Sequence, residues 1–300
     1  MKKYNLISKN NNMTVLVTGG AGFIGSSLIK QLKKERPKIK ITSLDNYFTG
    51  HTNNHISEVE YIKGDCSEIM ELFHDRTFDL IFHFGEYSRI ETSFEDIKLT
   101  TRYILNGTPT VLEFASSKNA RLIYSASSSK FGGDNENLSP YAWMKGKMVE
   151  LVKNYNCWFN LQYDIVYFYN VYGDGQIEEG KYATVVGLFA QQFLNNKKIT
   201  VVKPGSQKRD FTHIDDITSG LIKIMDFPER NSEWHLRRGK PKSILSLAKL
   251  FSEEIELLEE RPGNRLEAIL MEDATYSRLN WKPSNNIEDW IVDFKKKNKK

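Results

Sequence analysis

The stretch that decides the fold is TVLVTGGAGFIG, Thr14 to Gly25. It starts as an apolar, β-branched run and closes on Gly19, Gly20, Gly22 and Gly25. The spacing satisfies GxGxxG through Gly20, Gly22 and Gly25, and GxxGxxG through Gly19, Gly22 and Gly25. Glycines at these places let a strand end in a tight turn and let a pyrophosphate approach the amides that open the next helix. They also seat that helix close on the strand. A strand before the glycines and a helix expected at 23–35 supply the context that an isolated glycine motif lacks.

Working outward, short apolar runs alternate with longer amphipathic stretches. KITSLD (40–45), VEYIKGD (59–65), DLIFHFG (79–85), RLIYSAS (121–127) and QYDIVYFYNVYG (162–173) read as strands, with helices expected at 95–118 and 140–156. Strands alternating with helices predict an α/β fold, a Rossmann-type doubly wound parallel sheet. Past Gly173 the rhythm changes: a loop-rich segment holds one helix near 183–196 and a short strand, KITVV. FTHIDDITSGLIKIM reads as a helix returning to the first domain, and 245–260 as one amphipathic helix. The expected organisation is a cofactor domain over 13–173, rejoined by 209–230. A smaller C-terminal substrate lobe takes 174–208 and 231–294, and residues 1–12 and 295–300 form loose termini.

Composition removes several function classes. Of the +4 formal charge, five positive charges come from Lys295, Lys296, Lys297, Lys299 and Lys300, so the rest of the chain carries −1. No basic face for nucleic acid is expected. Cys66 and Cys157 form no CxxC pair and no His/Cys cluster, so neither a disulfide framework nor a metal site is expected. No apolar run approaches membrane-spanning length, and the N-terminus lacks an apolar signal core. A cytoplasmic location, with no membrane partner, is the expectation.

Asp45 follows Gly25 by 20 residues, at the end of the second strand. A carboxylate there accepts hydrogen bonds from both adenosine ribose hydroxyls and repels a 2′-phosphate, so NAD is favoured over NADP. The blander reading is a strand-end Asp capping a turn. Asp65 ends the third strand and either reaches the adenine or does the same. SPYAWMK places Tyr141 and Lys145 at i and i+4, on one helix face, after a strand ending in Ser127, Ser128 and Ser129. A tyrosine beside an ammonium can take or give an alcohol proton during hydride transfer, and a serine can hold the same oxygen.

At these residues the chain resembles the extended short-chain dehydrogenase/reductase family, in particular its nucleotide-sugar epimerases and dehydratases. The likeness runs from about residue 14 to 290. It is carried by TGGAGFIG, LDN (44–46), GD (64–65), HFG (83–85), SASSSKFG (125–132), YxxxK, FYNVYG (168–173), KRDFTHIDD (208–216), RPGN (261–264) and NWKP (280–283), in the family's order. The resemblance implies Tyr141 as acid/base, Lys145 as its partner and Ser127 as the third member. It implies NAD contacts from Gly19, Gly22, Phe23, Ile24, Gly25, Asp45, Asn46, Asp65 and Cys66, besides Tyr141 and Lys145. For the substrate it implies Asn170, Arg209 and Arg261 at the diphosphate of a nucleotide sugar and Asn264 at its ribose. Ser127 and Arg89 join that set near the sugar. His213 and Asp216 read as structural.

Departures from the family pattern shape the expected activity. Dehydratases carry an Asp-Glu pair where Ser128 and Ser129 stand, so 4,6-dehydration is disfavoured. Ile104 takes a usual Asn place, and Val202–Lys203 the place of a base-stacking aromatic. In HFGEYSRIE (83–91), Glu86 and Arg89 are expected either to pair with each other or to meet the substrate. The expected function is oxidation of a sugar hydroxyl, at carbon 4, followed by return of the hydride to the other face: a 4-epimerase. The alternatives are an oxidoreductase that releases the keto-sugar, a uronic-acid decarboxylase, and a non-catalytic NAD-binding scaffold. A homodimer is expected through the helices at 95–118 and 140–156, whose apolar residues exceed one stripe.

Overall fold

The computed structural model describes residues 13–131, 139–263, 266–267 and 270–298. Thirteen strands are described: β1 (Thr14–Thr18), β2 (Lys40–Asp45), β3 (Glu60–Lys63), β4 (Leu80–His83), β5 (Arg121–Ser127), β6 (Tyr163–Phe168), β7 (Asn170–Tyr172), β8 (Ile199–Val202), β9 (Lys208–Arg209), β10 (Phe211–His213), β11 (Ser232–Leu236), β12 (Lys242–Ser243) and β13 (Ile255–Leu258). Seven of them form one parallel sheet in the order β11-β6-β5-β4-β1-β2-β3. The chain therefore runs outward in one direction from β1 to β3, and in the other from β4 to β6. Between β1 and β4 the order reverses, and in open α/β sheets ligands bind in the crevice at such a point.

The helices are α1 (Phe23–Glu35), α2 (Ile69–Leu72), α3 (Ile97–Thr101), α4 (Gly107–Ser117), α5 (Pro140–Phe159), α6 (Val185–Leu194), α7 (Ile214–Asp226), α8 (Ile244–Phe251), α9 (Thr275–Leu279) and α10 (Ile287–Asn298). Strand periodicity divides them between the sheet's two faces. Val15 and Val17 pack with Leu28 and Ile29 of α1 and Ile217 and Leu221 of α7. Leu16 points the other way, into a core with Val111 and Leu112 of α4 and Val149 and Val152 of α5. A separate core holds Tyr172, Phe189, Val201, Leu247, Phe251 and Ile291.

Several elements differ from expectation, each for a physical reason. The run 162–173 is two strands, because β7 leaves the main sheet to pair with β10. The expected helix at 245–260 ends at Phe251, and Ile255–Leu258 instead pairs in parallel with β8. Phe251, Ile255 and Leu258 continue a helical spacing, so periodicity alone favours the helix; the open edge of β8 decides otherwise. The long helix at 95–118 is α3 and α4 joined by a π turn, Arg102–Asn106. Pro109 has no N–H to give Leu105, four residues back and inside that wide turn. The edge strand β11, SEWHL, expected in the substrate lobe, joins the main sheet beside β6; with Ser, Glu and His around only two apolar residues it carries little signal of its own. Residues 1–12, 299 and 300 lie outside the described residues. Lys295 to Asn298 are not loose but continue α10, where the Lys295 ammonium donates to the Leu250 and Phe251 carbonyls at 3.1 and 3.0 Å, the C-terminal end of α8.

Candidate active site

A cavity of about 830 Å³ opens at the sheet's reversal point. Gly19, Gly22, Phe23, Ile24, Gly25, Asp45, Asn46 and Cys66 line one end. Arg89, Ser127, Tyr141, Lys145, Asn170, Arg209 and Arg261 line the rest. Thus all but two of the residues singled out from sequence share one space. Asn264 lies outside the described residues. Asp65 turns away: it caps the 3-10 turn Cys66–Glu68, reciprocally with Glu68, and its carboxylate meets Arg102 at 3.1 Å. The competing turn-cap role has taken it.

At the glycine loop, Gly19 sits at φ +70°, and a Cβ there would lie 2.9 Å from the Gly85 nitrogen. A Cβ on Gly25 would overlap the Gly19 carbonyl, so α1 can reach β1 only with glycine here. Gly22 is the N-cap of α1 and brings no side chain to cap it, nor does the first turn carry an acid. The first-turn N–H groups thus lack a side-chain acceptor, which fits an anionic phosphate bridge. Asp45 accepts from the Ala21 and Tyr47 amides at 2.9 and 2.8 Å. Burial pushes its carboxyl above the ordinary range, against those bonds. A carboxylate offers more acceptor positions than these amides use, which leaves room for ribose hydroxyls. These features fit NAD.

On α5, Ser139 caps the N-terminus by accepting from the Ala142 amide, and Pro140 supplies a preorganised first residue. That start fixes the phase that turns both Tyr141 and Lys145 inward, each buried. Ser127 ends β5, and its Oγ accepts from the Ser129 amide and hydroxyl at 3.2 and 2.9 Å. Lys145 donates to the Ser125 carbonyl and to Glu86, with both side chains of the ion pair under 5% exposed (4% and 3%). The ammonium also lies 4.4 Å from the centre of the Tyr124 ring. Burial draws the Lys145 proton affinity down, and Glu86 opposes this. With three protons and two acceptors, one donor is left over.

Glu86 is the partner that sequence reasoning missed, because the expected Glu86–Arg89 pair does not form. Its carboxylate also accepts from the Thr108 and Tyr124 hydroxyls at 2.7 and 3.1 Å. Thr108 having given its proton to Glu86, its oxygen accepts from His83 Nε2 at 3.0 Å, and His83 Nδ1 then accepts from the Thr18 hydroxyl at 2.7 Å. Thr18 Oγ1 accepts in turn from the Phe84 and Gly85 amides. Burial holds His83 down to about 4, so it is neutral. Arg89 instead donates to the Tyr182 carbonyl and to Ser88. Phe48, Tyr103 and Gln207 also line the cavity without a sequence signal of their own. His213 and Asp216 are structural: His213 caps α7, and Asp216 accepts from the Ser284 and Asn285 amides.

The comparisons agree with this geometry. The model of the NAD dependent epimerase/dehydratase family matches residues 15–236. UDP-glucuronic acid decarboxylase 3 of Arabidopsis thaliana is 28% identical over 93% of this chain and 87% of its own. The ADP-L-glycero-D-manno-heptose-6-epimerase of Cupriavidus pinatubonensis is 25% identical over 87% and 83%. Among solved structures, the UDP-glucose 4-epimerase of Thermotoga maritima, determined with UDP-glucose, superposes with a TM-score of 0.85. It covers 95% of this chain and 99% of its own at 22% identity, a likeness of fold. With the glycine loop, Asp45 and the Ser127, Tyr141, Lys145 group in one cavity, the chain belongs to the NAD-dependent epimerase/dehydratase family and is an NAD-dependent enzyme of the extended short-chain dehydrogenase/reductase type.

Proposed function

We propose that this enzyme is a nucleotide-sugar 4-epimerase. The observation that carries the reading is the meeting of Ser127, Tyr141 and Lys145 beside the glycine loop, with the cavity's carboxylates among the described residues already partnered. Glu86 pairs with Lys145, Glu91 with Arg261 and Glu95 with Lys181, while Asp45 accepts from the loop amides at the cofactor end. Elimination of water across adjacent carbons needs an acid and a base that this arrangement does not provide. NAD, when bound, supplies the acceptor and donor of hydride. Ser127 Oγ holds the sugar oxygen, Tyr141 takes its proton and later gives it back, and Lys145, with one donor left over, would help hold the nicotinamide ribose. Asn170, Arg209 and Arg261, on the cavity's other side, suit a diphosphate.

The test is incubation with NAD and a panel of UDP- and dTDP-linked sugars, neutral and acidic, with products read by NMR. The expected product is the 4-epimer with no net NADH. A released keto-sugar with stoichiometric NADH, or a pentose formed with loss of CO2, would replace this reading by one of its rivals.

A homodimer belongs to the same proposal, on a narrower face than expected. Met144 and Met148 are buried at 5% and 6%, whereas Ile97 and Trp143 are exposed at 42% and 43%. A charge at Trp143 is therefore the disruptive test; at Met148 it would strike the core. No described helix is long and apolar enough to cross a membrane, and cytoplasmic residence is part of the proposal.

A further inference from the structure

The segment Glu86–Asp96 carries Glu86, Arg89, Glu91, Glu95 and Asp96. Each carboxylate has its cation. Glu86 meets Lys145, Glu91 meets Arg261 at 2.8 Å, and Glu95 and Asp96 share Lys181 at 3.0 and 2.9 Å. Arg89 has no counter-charge among the described residues. Its Nε donates to the Tyr182 carbonyl at 2.7 Å, and Nη1 donates to the Ser88 carbonyl and hydroxyl at 2.9 and 3.1 Å. Those acceptors are neutral, and Nη2 has none.

Arg89 lines the cavity. Burial lowers its proton affinity, and the titratable groups that oppose this are Tyr141 and Tyr87. A guanidinium stays charged regardless, and a desolvated charge without an opposite one is costly. Both Nη1 protons go to Ser88, so the two N–H groups of Nη2 are the donors left to take an acidic oxygen.

We propose that Arg89 receives an acidic group on the sugar, so that the substrate class is a nucleotide-linked sugar acid, a uronate, rather than a neutral hexose. This rests on the nucleotide-sugar reading of the cavity. Proximity to Tyr141 sets the group at the reacting sugar, whereas the diphosphate falls to Asn170, Arg209 and Arg261. A neutral sugar would leave this partly buried cation facing hydroxyls alone, which is how a site rejects a near-isostere.

Calorimetric titration of the full chain with saturating NAD tests this, using UDP, UDP-glucose and UDP-glucuronic acid as ligands. UDP-glucuronic acid should bind about 10- to 100-fold more tightly than UDP-glucose. Arg89→Gln should erase that preference and leave UDP affinity unchanged, while Arg89→Lys should keep part of it; a matching thermal melt shows that each variant folds. Equal affinity of the wild type for the two sugars would overturn the inference and leave the nucleotide-sugar reading intact. So would an Arg89→Gln variant that loses UDP as severely as UDP-glucuronic acid, which would make Arg89 a diphosphate ligand. Absence of binding by all three ligands would overturn both.

Discussion

The glycine-loop side of the cavity and the Glu86–Asp96 side differ in how far their partners lie along the chain. At the loop, Gly22 bonds to Gly19, Asp45 to Tyr47 and to Ala21 24 residues back, and α1 follows at once. Across the cavity, Glu86 finds Lys145 59 residues away, and Glu91 finds Arg261 170 residues away. The first side is set by backbone geometry that a few adjacent residues enforce. The second depends on which charges the completed fold brings together, and any one swap redistributes its neighbours. Recognition of the cofactor is thus locally encoded, and that of the substrate globally.

The sharpest test of the division is Tyr141→Phe, which removes the proton carrier and keeps the ring that fills its place. Turnover should fall about 10²–10⁴-fold while binding of NAD and nucleotide sugar persists. Retained turnover would mean that proton transfer lies elsewhere. Next comes Glu86→Ala, which strands a buried ammonium: breaking a buried pair costs about 3–5 kcal/mol, readable in urea denaturation. Glu86→Gln, keeping the hydrogen-bond acceptor, should cost less. If both are silent, the ion pair does not hold the far side together.

Acid should act on the same network. His83 is held near 4 in the folded chain against about 6.5 unfolded, so the unfolded state binds the extra proton between those values. Stability from this group is present above pH ~6.5 and is lost as pH falls toward 4, by up to about 3 kcal/mol. His83→Gln should flatten that slope in denaturation measured from pH 7 to 4. On the glycine-loop side, Gly25→Ala must push α1 off the Gly19 carbonyl. Such overpacking costs about 1–3 kcal/mol, and NAD affinity should fall with it while UDP binding is spared. The smallest effect expected is at Asp45→Ala, which should narrow the preference for NAD over NADP in calorimetry. A wild type that prefers NADP would contradict the role given to Asp45.

This division explains what was legible beforehand. The sheet, the glycine loop, Asp45, Ser127, Tyr141 and Lys145 follow from spacing within short windows. Asp65 caps a turn, reciprocally with Glu68, and pairs with Arg102, a set of partners that its place at a strand end does not announce. Glu86 escaped because a carboxylate three residues from an arginine suggests a local pair, whereas the fold offers it a buried ammonium. β13 was hidden for a similar reason: its spacing suits a helix, and only the exposed edge of β8 makes it a strand.

The bonds from the Phe84 and Gly85 amides through Thr18, His83 and Thr108 to Glu86 all point the same way. Such a file of aligned dipoles polarises without conducting: for a proton to leave the cavity along it, every hydroxyl and the imidazole tautomer would have to reverse together. The sheet interior is therefore insulated from the proton traffic at Tyr141. A proton taken from a sugar stays on the side where it was taken, ready for return to the same oxygen.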